Sequence, residues 1–239
     1  MKGAIIIGLK LIDIHTHLIP FVDDGVSSYE EALKIIKLMI EDGIEEIVCT
    51  PHFQSGATRA TKEIQEENFY KLKELVQKEA LAVKLFLGYE VRFRDYLNPD
   101  YQKLTINGSK YLLLEFSFYT YLDIYPIIEE LTEAGFKIII AHIERYSYLN
   151  FEDYYRLVEM GVLLQVNSKP IVYPESEARI KQIRRLFKEK LVSFVASDVH
   201  NLTSRPNYLK EAYEILKKEL PKDYLEAVFY NNAKKILTS

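Results

Sequence analysis

The chain has 239 residues, 48% hydrophobic and 28% charged, with only 9 Gly and 8 Pro. This composition excludes a disordered or low-complexity protein and fits one domain over residues 1–239, since α/β barrels commonly occupy about 200–250 residues. A formal charge of −4 gives no general attraction for a polyanion, so a nucleic-acid partner is not expected.

The opening MKGAIIIGLKLIDIH has an apolar patch too short to cross a bilayer and no convincing signal-cleavage site. A cytoplasmic protein without membrane insertion is therefore expected. Residues 11–14 read as the first strand, and it runs into His15 and His17, which in an extended chain face the same side. The DDG at Asp23, Asp24 and Gly25 reads as a turn rather than a ligand pair. SYEEALKIIKLMIEDG follows as an amphipathic helix, capped by Ser28, with glutamates at its positive end and Gly43 as its stop.

The second strand, residues 46–50, holds the chain's only cysteine and leads to His52. A lone Cys49 permits no intrachain disulfide and no multi-thiolate zinc site, and it reads as a small buried hydrophobe. After the helical ATKEIQEENFYKLKELVQKEA comes a third strand over 84–88, followed by Glu90. The fourth, over 111–116, carries Glu115 and passes into FSFYTYLDIY. Those aromatics read as packing, with a mouth-lining role toward a tyrosyl ring as the lesser alternative. The fifth strand, 137–141, precedes His142 and Arg145. The sixth, 162–166, precedes Asn167, which could orient a water or ligand. The seventh, 192–197, precedes Asp198, His200 and Arg205. Helical stretches separate the later strands, and seven strands alternating with helices point to an α/β barrel, with an open doubly wound sheet as the fallback.

All five histidines follow predicted strands, and none falls in a helix. Glu90, Glu115 and Asp198 join them at the same edge, where the loops of parallel α/β folds gather ligands and chemistry. An apolar strand that ends in an ionisable group buries charge at a cost unless a cation compensates it. Metal ions would do so for His15, His17, His52, Glu90, Glu115, His142, Asp198 and His200 together. Eight ligands exceed one coordination shell, so two or three divalent ions are expected, bridged by Glu90 or Asp198. Imidazole and carboxylate without thiolate suit manganese, iron or zinc. Such a cluster activates water and clamps the oxygens of an in-line displacement, which suits phosphate esters. Arg145 and Arg205, in the same loops, offer forks for phosphate oxygens.

Taken together, DIHTHLIPFVDDG, TPHF, GYE, LLLEF, AHIER and SDVHNLTSRP resemble the PHP (polymerase and histidinol phosphatase) superfamily. Within it, they resemble the CpsB-type manganese-dependent bacterial protein-tyrosine phosphatases linked to capsule and exopolysaccharide synthesis. The resemblance implies a distorted seven-stranded (β/α) barrel of PHP type with a trinuclear metal site held by the eight residues above. It makes Arg145 and Arg205 the phosphate-binding pair, and it sets Asp198 and His200 among the catalytic residues. It implies manganese, with iron, zinc or cobalt as alternatives, and hydrolysis of phosphotyrosine by a metal-activated hydroxide. The implied substrate is a bacterial tyrosine kinase, typically in a tyrosine-rich tail, and an oligomer is compatible with it. Val199 stands where the family often has alanine, and the leading residues exceed the family's usual start. Two other functions remain at this point. One is a small-molecule phosphomonoesterase such as a histidinol phosphatase, with a nucleotide phosphodiesterase as a more distant variant. The other is a non-catalytic, metal-stabilised binding protein, which would have no use for phosphate clamps.

Overall fold

The computed structural model describes residues 8–94 and 99–238. Every predicted strand forms, and two short segments beyond the predicted ends join them, so the described residues hold nine. They are β1 (Leu11–Thr16), β2 (Ile44–Cys49), β3 (His52–Phe53), β4 (Lys84–Leu87), β5 (Glu90–Arg92), β6 (Tyr111–Glu115), β7 (Lys137–Ile140), β8 (Leu163–Asn167) and β9 (Val192–Ala196). Pro51 separates β2 from β3 because it has no N–H to give the ladder. Gly88 and Tyr89 separate β4 from β5. Bonds from Gly88 N–H to Cys49 O (2.9 Å) and Glu90 N–H to Pro51 O (3.1 Å) carry the pairing across both breaks.

All pairings are parallel, in the orders β1-β2-β4 and β3-β5-β6-β7-β8-β9. The first and last strands meet through a Thr16–Val199 bridge. Asp198 N–H donates to His15 O and His17 N–H to Val199 O, each at 2.9 Å. The sheets therefore close on one another as a distorted (β/α) barrel, and the open-sheet alternative fails at this seam.

The helices flank the strands as their apolar periodicity requires. The first, α1 (Tyr29–Glu41), is capped by Ser28, whose hydroxyl accepts from Glu31 N–H at 3.1 Å. Beyond it Gly43 has φ +89°, and a Cβ there would stand 2.4 Å from Leu9 O, so only glycine fits. The others that matter here are α2 (Lys62–Lys78), α3 (Tyr125–Glu133), α4 (Phe151–Glu159), α5 (Lys169–Val172), α6 (Glu177–Lys188), α7 (Leu209–Leu216), α8 (Lys222–Glu226) and α9 (Asn232–Leu237). Among the described residues, no helix is long and apolar enough to cross a membrane.

A smaller apolar cluster unites Ile12, Ile14, Val48, Leu113, Ile139 and Phe194 with Ala233 and Ile236 of α9. Leu113 and Glu115 share one face of β6, and Phe194 and Ala196 one face of β9, so the strands pass from apolar to ionisable residues along their inner face. In β1 a register shift between Asp13 and Thr16 breaks the alternation. It lets Ile12 and Ile14 serve the cluster while His15 and His17 reach the same end as Glu115.

Candidate metal centre

At the carboxyl ends of the strands, the eight residues singled out by position converge. His15 Nε2 and His17 Nε2 lie 3.3 Å apart, and Glu90 Oε2 is 3.5 Å from each. That carboxylate also reaches His52 Nδ1 (2.6 Å) with Oε2 and His142 Nε2 (2.7 Å) with Oε1. Asp198 Oδ1 lies 3.5 Å from His15 Nε2, 3.3 Å from His17 Nε2 and 3.4 Å from His200 Nδ1. Ligand atoms fall within 4.8 Å of one another in four sets: His15–His17–Glu90, His52–Glu90–Glu115, His15–His142–Asp198 and His17–Asp24–His52–His200. Glu90 belongs to two sets, as a bridging carboxylate would.

The last set corrects the sequence reading of DDG. The segment does turn, but both acids face the histidines. Asp24 Oδ1 stands 3.3 Å from His52 Nε2 and 3.4 Å from His200 Nε2. Asp23, nearly fully buried, accepts from His17 Nδ1 at 2.8 Å and from His52 N–H at 3.0 Å. Gly25 makes the close return possible, since a Cβ there would lie 2.2 Å from His17 O.

A polar chain holds the other side. Gln165 Oε1 lies 3.1 Å from His15 Nδ1 and accepts from His142 N–H at 2.8 Å. Gln165 donates to Asn167 Oδ1, and Asn167 donates to Asp198 Oδ2, both at 2.8 Å. Asn167 thus orients a carboxylate of the cluster. Asp13 accepts from Ser197 N–H (3.1 Å) and His15 N–H (3.3 Å), tying β1 to the end of β9. His142 (φ 36°) and Asp198 (φ 54°) both occupy the left-handed region. Such non-glycine backbone costs on the order of 1–3 kcal/mol and gathers at functional sites.

Burial disfavours charge here, yet the groups polarise one another. It opposes protonation of His15 and His52, but Glu90 and its neighbouring acids outweigh it and raise them to about 9 and about 11. Despite burial, the surrounding histidines hold Glu90 and Asp198 well below the usual carboxylate range. Glu115 is raised by burial and by Glu90. His200 is lowered by burial and by His17.

The cluster fits divalent ions on its own chemistry. His142 Nδ1 is buried without a hydrogen bond, and Asp24 Oδ1, His52 Nδ1, Glu90 Oε2 and His200 Nε2 are buried in contact with other cluster atoms but without hydrogen-bond geometry. Buried polar atoms without a hydrogen bond are costly unless something else engages them. A set of imidazoles and carboxylates with no thiolate matches oxygen- and nitrogen-preferring metals. The one cysteine is remote in chemistry too: burial pushes the Cys49 thiol up to about 12.

Arg145 and Arg205 line a cavity of about 260 Å³ together with His52, Glu90, His142 and His200. The Arg145 guanidinium stacks on Phe118 at 4.1 Å, and Arg205 pairs with Asp24. Arg92, which the sequence reading passed over, lines it too and pairs with Glu115 at 3.1 Å. Its signal was the even spacing from Glu90 along β5. The aromatic stretch divides: Phe116 and Ile124 are core, Phe118 and Tyr119 line the cavity, and Tyr119 is 93% exposed.

Comparison with known proteins agrees with this arrangement. The chain is 35% identical to the tyrosine-protein phosphatase CpsB of Streptococcus pneumoniae, over 95% of this chain and 98% of that one. It is 30% identical to the tyrosine-protein phosphatase YwqE of Bacillus subtilis, over 87% and 85%. A crystal structure from a study of YwqE and CpsB, described as unique metal-dependent tyrosine phosphatases, superposes with a TM-score of 0.86. It is 28% identical, with 95% and 94% covered. A phosphotriesterase homology protein from Escherichia coli, 13% identical with a TM-score of 0.61 over 95% and 98%, shares the fold. The family described as "Capsular polysaccharide synthesis, CpsB/CapC" matches residues 11–238, and the chain belongs to it.

Proposed function

We propose that the protein is a metal-dependent tyrosine-protein phosphatase of capsular polysaccharide synthesis, acting in the cytoplasm on a phosphorylated bacterial tyrosine kinase. The observation that carries this reading is the cluster of five histidines with Glu90, Glu115, Asp198 and Asp24, opening into a cavity whose lining includes Arg145 and Arg205. His15, His17, His52, Glu90, Glu115, His142, Asp198 and His200 hold two or three ions, and Asp24 joins them. Manganese is the first choice, with iron, zinc and cobalt as alternatives. When bound, the ions activate water and offset the charge on phosphoryl oxygens.

The chain's own groups do the rest. Arg145 and Arg205 bind phosphate oxygens with planar forks, and Phe118 fixes the plane of Arg145. Asp23 and Gln165 hold the His17 and His15 rings through their Nδ1 atoms, leaving each Nε2 aimed inward. The buried, weakly acidic Cys49 contributes no nucleophile.

The test is metal-stripped protein reloaded with Mn, Zn, Fe, Co or Mg and assayed on phosphotyrosine peptides, phosphoserine peptides and histidinol phosphate. Metal-restored turnover selective for phosphotyrosine is expected. Preference for histidinol phosphate would return the small-molecule reading, and no turnover with any metal the non-catalytic one.

A further inference from the structure

Beside the cavity of about 260 Å³ lies a larger groove of about 850 Å³, and Phe118, Tyr119, Arg145, Asp198 and Arg205 line both. The two spaces therefore adjoin. Sites that enclose a whole small ligand usually measure about 300–1,000 Å³. The smaller cavity suits a single phosphorylated side chain, and the groove gives room for what that side chain is attached to.

The groove's charge is uneven. Beyond the two arginines at the junction it presents Lys169, at the start of α5, and Arg179, in the first turn of α6. Its carboxylates offset them only in part. Asp198 is turned to the histidines, and Glu144, which attracts Arg179 and Arg145, is buried beside Asn167 N–H. Arg179 donates to Gln182 Oε1 at 2.6 Å and pairs with Glu175 at 3.3 Å, and Glu175 is largely exposed, where a competing carboxylate can displace it at little cost. The Lys169 ammonium donates to Ser204 O at 3.0 Å, a neutral partner that leaves its charge uncompensated.

We propose that this groove binds the polypeptide flanking the phosphotyrosine, and that Lys169 and Arg179 select flanks rich in aspartate and glutamate. The inference rests on the phosphatase reading and deepens it: the site recognises an acidic segment of a protein, not an isolated phosphate ester. Charge complementarity carries it, since among the described residues Lys169 pairs with no carboxylate, and Glu175, which pairs with Arg179, is exposed. Lys169 and Arg179 are specificity determinants, remote from the reacting atoms.

The test uses the Mn-loaded full chain and paired phosphotyrosine peptides that differ only in acidic versus neutral flanks. In the wild type, kcat/KM should favour the acidic peptide by about three- to tenfold, and the preference should shrink at high ionic strength. In the Lys169→Gln/Arg179→Gln variant the ratio of the two values should fall to near one. Because the readout is a ratio within one protein, loss of active fraction cancels. A wild type that hydrolyses both peptides equally, or a variant that keeps the wild-type ratio, overturns the groove assignment and leaves the phosphatase reading intact. A wild type that hydrolyses neither peptide overturns both.

Discussion

Replacing Asp23 with asparagine should loosen the metal cluster from outside it. Asp23 Oδ2 accepts from His17 Nδ1 at 2.8 Å and from His52 N–H at 3.0 Å, while Oδ1 accepts from Gly25 N–H at 2.9 Å. An amide of the same shape has one oxygen to serve these three donors. With its nitrogen toward His17 it also meets the His52 N–H, and its clash with His17 is relieved only if the imidazole proton moves to Nε2. That is the atom facing Glu90 and Asp198, and a protonated Nε2 has no lone pair for a metal. With its oxygen toward His17, the collision moves to Gly25, and a charge-assisted bond becomes a neutral one. Charged hydrogen bonds contribute about 1.5–3 kcal/mol and neutral ones about 1, so the variant loses on the order of 1–3 kcal/mol of ligand positioning. That corresponds to roughly 10–100-fold weaker metal binding, the range typical of partners behind a metal ligand. Competition with a fluorescent chelator for Mn at fixed pH measures it, with circular dichroism to confirm the fold. An Asp23→Asn affinity within about twofold of wild type would refute the reasoning.

Arg205→Lys keeps the charge but loses the planar fork, so kcat/KM on a phosphotyrosine peptide should fall by roughly ten- to a hundredfold with metal content retained. Elemental analysis beside the kinetics separates the roles, and lost metal would instead assign Arg205, through Asp24, to holding the cluster. Cys49→Ser should keep most activity, because the thiol is buried and raised to about 12; a metal-replete, folded but dead variant would point to thiol chemistry. Metal affinity should fall as pH falls from about 8 to about 6. Glu90 and its neighbours, overcoming burial, raise His15 to about 9 and His52 to about 11 in the metal-free protein, so ions must expel protons to bind. Calorimetry in buffers of different ionisation enthalpy counts those protons, and a pH-independent affinity with no proton release would contradict the account.

The strands were legible because short apolar runs between helical stretches mark a buried parallel sheet. The short β3 and β5 were not, since they lie just past Pro51 and Gly88, residue types that mark the end of a strand in sequence. The gathering of His15, His52, Glu90 and His142 followed from position alone, because parallel strands bring their carboxyl ends together whatever their separation in sequence. Asp24 escaped because an Asp-Asp-Gly turn looks the same whether its side chains face solvent or a cluster. Gln165 and Asp13 sit one step inside strands otherwise apolar, and only the packed barrel shows that their side chains bond to β1, β7 and β9. The groove with Lys169 and Arg179 lies between loops and helices far apart in the chain, so no local pattern announces it.

Crystals of the Mn-loaded protein, measured with X-rays at the manganese absorption edge, test the central claim most directly, because anomalous scattering locates the ions independently of any activity. The account predicts two or three peaks among the inward-facing atoms of His15, His17, His52, Glu90, Glu115, His142, Asp198 and His200, one of them within reach of Asp24. Peaks only at exposed carboxylates, or none in a crystal whose protein carries manganese by elemental analysis, would contradict it.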